Sequence, residues 1–200
     1  MKLLRPLVLA SASPRRRELL ERLGLPFSVE AADVDENRHA GEAPDAYVAR
    51  LAALKASTVA ARHTLAVDGA AVLGADTTVV HAGEVLNKPL DLEDSARMIA
   101  RLRGHEHSVL TAIAVVLCPE RIVRGVTVST RVRFRDFDDV TLRGYVASRE
   151  GMDKAGAYGI QDLGAALVSE VHGSYTNVVG LPAAETITLL TTLGVLASWP

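Results

Sequence analysis

A single cysteine, few aromatic residues and no surplus of either charge mark this 200-residue sequence before any motif is read. Cys118, the only cysteine, excludes an intramolecular disulfide and a multi-cysteine metal site, and it reads as a small buried strand residue in a reducing compartment. With 22 basic and 24 acidic residues the formal net charge is -2, so no overall field draws the chain to nucleic acid or an acidic membrane. Any site for a polyanion has to be local. No apolar run approaches the roughly 18 to 20 residues needed to cross a bilayer, and residues 7–10 are too short for a signal-peptide core. The expectation is a soluble, cytoplasmic chain. Neither a G-x-x-x-x-G-K-[ST] loop nor a G-x-G-x-x-G fingerprint is present, and Ser174 lacks the surroundings of a nucleophile elbow. The histidines share no metal-ligand spacing; the closest pair, His105 and His107, reads as a surface turn. There is no internal repeat and no low-complexity segment.

What is present is aliphatic. Apolar residues make up 48 % of the sequence and aromatics 4 %, so the core has to be built from Ala, Val, Leu and Ile. The length suits one domain over residues 1–200, or two closely fused lobes. Residues 3–10 read as a buried edge or near-edge strand carrying Pro6, followed by a polar turn. Ser13 then suits a helix N-cap and Pro14 the first helical position, with Leu19, Leu20 and Leu23 at helical spacing. A short strand at 27–31 leads to an acidic loop, and Pro44 opens a long helix to about Arg62. Residues 72–80 are strongly β-prone, and Ala82-Gly83-Glu84 reads as a hairpin turn. A helix at 92–102, paired strands at 107–118 and 122–134, a helix at 139–148, a strand at 165–171 and a helix at 181–193 complete the series. Strands that both alternate with helices and pair as hairpins imply a mixed α/β fold, an extended central sheet flanked by helices, with two lobes and a central cleft.

Three places concentrate polar chemistry. Ser11, Ser13, Arg15, Arg16 and Arg17 sit at a strand-to-helix turn, where free backbone N–H groups and the helix dipole favour an anion. Asp76 interrupts a run that otherwise reads as buried strand, and an unpaired buried carboxylate is costly, so it needs a metal, a basic partner or solvent. Asp35 and Glu36 offer further oxygens, which suits Mg²⁺, an ion that takes one or two carboxylates with waters and phosphates. Lys55 and Lys88 are candidates for phosphate neutralisation, and the small-residue loop from Gly156 to Gln161 would let backbone approach a flat ligand.

In this order the segments L-A-S-A-S-P-R-R-R-E-L-L, V-D-E, Y-V-A-R-L-A-A-L-K-A, L-G-A-D-T, L-N-K-P, D-K-A-G-A-Y-G-I-Q and G-S-Y-T-N-V-V-G-L-P cover nearly the whole chain. Together they resemble the Maf family of nucleoside triphosphate pyrophosphatases. The resemblance implies a fold related to the inosine triphosphate pyrophosphatases and hydrolysis between the α- and β-phosphates with a divalent cation, Mg or Mn. It implies Asp76 as proton acceptor; on that basis Asp76 and Glu36 are expected as metal ligands, with Lys88 beside them in catalysis. Ser11, Arg16 and Lys55 would hold the phosphates. Arg15, Thr77 and Gln161 match the branch that cleaves dTTP and UTP, with modified uridine triphosphates within its range and nucleotide-pool cleansing as its role. The alternatives are 7-methyl-GTP cleavage, or nucleotide-dependent regulation of division and septation. The implied partner is the nucleoside triphosphate alone, with no nucleic acid and no membrane, and a homodimer is compatible. One departure stands out: Asp162 occupies a place where relatives usually carry Gly, which raises the expectation of a positive-φ turn that Asp tolerates better than most residues but at some cost.

Overall fold

The structure, a computed structural model, describes residues 2–63 and 69–200. The chain forms two compact units, the first built from Met1–Asp76, Thr111–Val128 and Gly180–Pro200 and the second from Thr77–Leu110 and Ser129–Val179.

In the first unit, β2 (Leu7–Leu9) is buried along its whole length and pairs in parallel with β3 (Ser28–Val29) on one side and β4 (Ala71–His81) on the other. The strand expected over residues 3–10 is divided. Pro6 has no N–H to give a ladder, and ahead of it β1 (Lys2–Leu3) turns away to pair antiparallel with β9 (Leu196–Ser198). Helix α1 (Pro14–Arg22) follows β2 directly and buries Leu19 and Leu20. Pro14 takes the first helical position as expected, but the Ser13 side chain makes no capping bond. The Ser11 hydroxyl instead accepts the Ser13 N–H at 3.3 Å. Helix α2 (Pro44–Ala60) buries Val48, Leu51, Ala52, Ala56 and Val59, a set repeating at three and four residues that forms one face. Helix α6 (Ala183–Thr192) belongs to the same unit.

In the second unit, the later part of β4 pairs antiparallel with β5 (Glu84–Leu86). The turn between them places Ala82 and Gly83 at φ 51 and 81, the paired left-handed conformation that matches strand twist in a tight hairpin. Helix α3 (Leu92–Leu102) is capped by Asp91, whose carboxylate accepts the Asp94 N–H at 2.8 Å, and α4 (Asp139–Ala147) is capped likewise by Asp138 through Thr141. Strand β8 (Val168–His172) pairs antiparallel with the end of β7 (Ile122–Phe134), and the short helix α5 (Tyr175–Val179) follows it. With β6 (Glu106–Leu117) the strand order is β3-β2-β4-β6-β7-β8, β5 lying beside β4, which makes a seven-stranded mixed sheet as expected. Among the described residues no helix is long and apolar enough to cross a membrane.

Two expectations need correction. Residues 165–167 are not strand: Leu163–Leu167 forms 3-10 turns, with Ala165 N–H donating to Asp162 O at 3.1 Å, and β8 begins only at Val168. His107 is not on a surface turn either. It lies within β6 on the buried side with Val109 and Thr111 and is 3 % exposed, whereas His105 is exposed. The two lie two residues apart and would share a face within one strand; they differ because β6 begins at Glu106, which leaves His105 ahead of the strand while His107 takes one of its buried positions.

The approach of α2 to β4 is set by Gly74. A Cβ at this position would stand 2.3 Å from Ala52 O and 2.7 Å from Ala56 N, both backbone atoms of α2. Gly74→Ala is therefore expected to push α2 off the strand and to cost about 3 kcal/mol, the upper range for overpacking a core. Denaturant unfolding measures it, and a loss below about 0.5 kcal/mol would show that the helix shifts freely.

Candidate active site

In the first unit, a strand, a helix and a loop converge on one ammonium group. Asp76 lies in β4 and is 7 % exposed, as is Lys55 on the buried face of α2. The Lys55 Nζ stands 2.7 Å from Asp76 Oδ1 and 2.7 Å from Glu36 Oε1, so one cation bridges a buried carboxylate and a half-exposed one. Burial raises the Asp76 pKa above the ordinary carboxylate value; attraction to Lys55 and Arg16 acts the other way, and the Glu36 charge adds to the rise. The result is a carboxylate of enhanced basicity that is held in one orientation.

Glu36 is on a loop, yet the loop is fastened to α2. Tyr47 donates its hydroxyl to Glu36 O at 2.9 Å, and Arg50 donates to Asn37 O at 3.0 Å. Arg50 is itself fixed by a fork to Glu42, at 2.6 and 2.8 Å, and its guanidinium lies 5.7 Å from the Tyr47 ring centroid. The Arg50 hydrogen bonds hold the Glu42 carboxyl down at about 2. None of these three buttresses, Tyr47, Arg50 and Glu42, stands out in the sequence.

The turn after β2 joins the same group. Arg16 donates from Nη1 to the Ser11 hydroxyl at 3.0 Å and from Nε to Gly180 O at 2.9 Å. Burial lowers the Arg16 pKa from its usual value, while the Asp76 carboxylate opposes that change and neighbouring Arg15 adds to it. Ser11, Arg16, Glu36, Lys55 and Asp76 are thus one electrostatic cluster, with Arg15 next to it in sequence on α1.

Thr77, Lys88 and Gln161 belong to the second unit. Thr77 and Gln161 are half-buried and Lys88 is exposed just after β5. The segments that carry them are linked. Thr78 Oγ1 donates to Asn87 Oδ1 at 3.4 Å, and Gly156 N–H donates to Asn87 O at 3.1 Å. Gly156 is at φ 70, and a Cβ there would stand 2.8 Å from Val79 Cγ2, which accounts for the small residue at the start of the loop. Asp162, by contrast, is at φ -114, so the feared positive-φ penalty does not arise. Tyr158 in this loop hydrogen-bonds His107 Nε2 at 2.8 Å, and both rings pack edge-on against Phe134. Burial drives the His107 pKa down to about 3, leaving the ring neutral. Among the described residues there is no group of three or more His, Cys, Asp or Glu arranged to hold a metal ion; Asp76 and Glu36 supply two carboxylates.

The profile of the Maf-like protein family matches residues 6–193. A dTTP/UTP pyrophosphatase of Myxococcus xanthus is 51 % identical over 193 residues, covering 96 % of this chain and 95 % of the relative. One from Moorella thermoacetica is 51 % identical, with coverages of 94 % and 95 %, and one from Desulfotalea psychrophila is 45 % identical, with 92 % of each. A solved nucleoside-triphosphatase / dITP/XTP pyrophosphatase of Mycobacterium abscessus is 18 % identical with a TM-score of 0.39, covering 64 % of this chain and 74 % of the other, a likeness too weak to add to the fold description.

Lys55→Met is expected to destabilise the protein by about 3 to 5 kcal/mol at neutral pH, because Asp76 is left as a buried charge. The pH dependence carries the sign. Asp76 already binds its proton more tightly folded than unfolded, so its ionisation reduces stability as pH rises above its unfolded value, 3.8. Without Lys55 the folded pKa climbs further, so the gap between variant and parent should widen from acid to neutral pH. Urea unfolding across that range checks this, and a constant gap would assign the loss to packing rather than charge.

Proposed function

The chain belongs to the Maf-like protein family, and on that premise we propose that it hydrolyses dTTP and UTP between the α- and β-phosphates, releasing nucleoside monophosphate and pyrophosphate. The observation that carries the reading is the buried Asp76 held by Lys55 against Glu36. A carboxylate of raised pKa at a cationic cluster takes a proton from an attacking water more readily than an exposed one. The water oxygen ends on one product, the bridging P–O bond breaks, and pyrophosphate leaves with the electron pair.

Asp76 and Glu36 would hold a divalent cation, magnesium or manganese. Their fit rests on two hard oxygen donors that already converge on one ammonium, a set that substrate phosphates and waters complete. Such an ion, when bound, supplies charge neutralisation at the phosphates and a more acidic water. Lys55, which faces both carboxylates, would then be available to phosphate oxygens. Arg16 and Ser11 present a guanidinium and a hydroxyl at the strand-to-helix turn, the chemistry expected to grip phosphate. Lys88 is assigned to the triphosphate from its place in L-N-K-P, and Arg15, Thr77 and Gln161 to substrate selection by their match to the pyrimidine branch.

A primary amide at Gln161 answers both the N–H and the carbonyl of uracil and thymine, while cytosine reverses part of that pattern. The thymine methyl is worth only about 1 to 3 kcal/mol in a pocket, so both bases are accepted. Pyrophosphate release over a panel of dTTP, UTP, CTP and 7-methyl-GTP, with and without Mg²⁺ or Mn²⁺, tests the reading; preference for the methylated purine would overturn the substrate assignment. Asp76→Asn should lower kcat roughly 100-fold or more with the fold retained, since proton acceptance is lost. Near-parental turnover in that folded variant would remove Asp76 from the mechanism.

A further inference from the structure

The proposed base-reading residue sits at the tip of a turn that the rest of the second unit holds from both ends. Tyr145 on α4 and Glu150 just after it reach the backbone on either side of Gln161. Gly159 N–H donates to the Tyr145 hydroxyl at 3.3 Å on the near side. On the far side, Leu163 N–H donates to Glu150 Oε2 at 2.7 Å and Gly164 N–H to Glu150 Oε1 at 2.9 Å. The Tyr145 hydroxyl also donates to Glu150 Oε1 at 3.3 Å, which closes the bracket. Two further contacts anchor it: Lys154 donates its ammonium to Glu150 O, and Tyr158 is tied to buried His107.

We infer that Glu150 is a positioning residue for substrate selection: its carboxylate, with Tyr145, clamps the 159–164 turn and so fixes the direction of the Gln161 amide. The inference rests on the base-reading role proposed for Gln161. An ionised carboxylate is acceptor-only and receives two backbone N–H groups at once, which an amide cannot do without turning its NH₂ toward one of them. Gly164 packs so closely under the turn that a Cβ there would be 2.2 Å from Gly159 O, so the two ends of the turn meet backbone to backbone where the Glu150 carboxylate reaches them. An amide side chain discriminates bases only when its two ends are held apart in a fixed sense, because rotation exchanges donor and acceptor. Loosening the clamp should therefore blur recognition without removing the phosphate-directed chemistry.

Glu150→Gln separates the possibilities. Steady-state kinetics should give a KM for UTP raised about tenfold with kcat within about threefold of the parent, and a UTP-to-CTP ratio of kcat/KM lowered by about the same factor. Amide hydrogen exchange at residues 159–164 should accelerate, and in a Gln161→Ala background Glu150→Gln should not lower the UTP-to-CTP ratio further. Unchanged exchange would overturn the clamp. Equal losses on UTP and CTP, or a further fall in the ratio in the Gln161→Ala background, would reduce Glu150 to a general structural role and overturn the inference. A ratio that Gln161→Ala itself leaves unmoved would instead sink the base-reading role, and the specificity role of Glu150 with it; that failure is visible in the single variant alone.

Discussion

The ion pair between Lys55 and Asp76 is the constraint on which the cluster around it depends. A carboxylate and an ammonium each lose several kcal/mol of hydration when they are buried, and their mutual attraction returns it only when geometry is good and the remaining lone pairs are satisfied. At 2.7 Å the geometry is good, and Glu36 takes a second proton of the same ammonium at the same distance. That arrangement requires α2 to lie almost on the backbone of β4. Gly74, two residues before Asp76, makes the approach possible, and Ala52 and Ala56 on the facing helix are as small as the contact demands. Packing and electrostatics are therefore one design: the missing side chain at position 74 is what lets Lys55 reach position 76.

A pair so buried is a poor device for stability, since apolar residues of like volume commonly match or exceed it. Its value lies in what it holds ready. Asp76 keeps a raised affinity for a proton while remaining oriented, and the loop bearing Glu36 is kept within reach by Tyr47 and Arg50. The bidentate Arg50–Glu42 contact is only partly exposed and better defined than an ordinary surface pair, so it can order a loop that has little apolar area of its own.

The helices and the hairpin were legible because each is governed by local rules. Pro14, Pro44 and the Ala82-Gly83 turn announce their elements within a few residues. The split of the first strand was half legible, since Pro6 signals a lost ladder bond but not the direction in which the preceding residues leave. The 3-10 stretch at Leu163–Leu167 was not, because Ala and Leu carry no signal separating a tight helical turn from a short strand. For the site, Asp76 was conspicuous as a carboxylate in an apolar run, and Lys55 as a cation on an apolar helix face. Their supports were hidden for a physical reason. Tyr47, Arg50, Tyr145 and Glu150 act through backbone carbonyls and N–H groups of loops, and nothing in a side-chain pattern reveals which backbone a side chain will meet.

Asp162 shows how a backbone angle changes the meaning of a residue. Read as a substitute for glycine, it implied a strained left-handed turn; at φ -114 an L-residue is unstrained and the position tolerates a side chain. What remains is electrostatic. The Asp162 side chain is exposed, its carbonyl accepts the Ala165 N–H, and its charge lies one residue from the proposed base-reading amide. An exposed charge acts over roughly 8 to 10 Å at physiological salt, so it can tune association with a polyanion without altering the turn that Glu150 and Tyr145 define. Because Gln161 is held by backbone contacts at 159, 163 and 164, none of which involves the side chain of 162, the neighbouring residue is free to vary in charge while the amide keeps its direction.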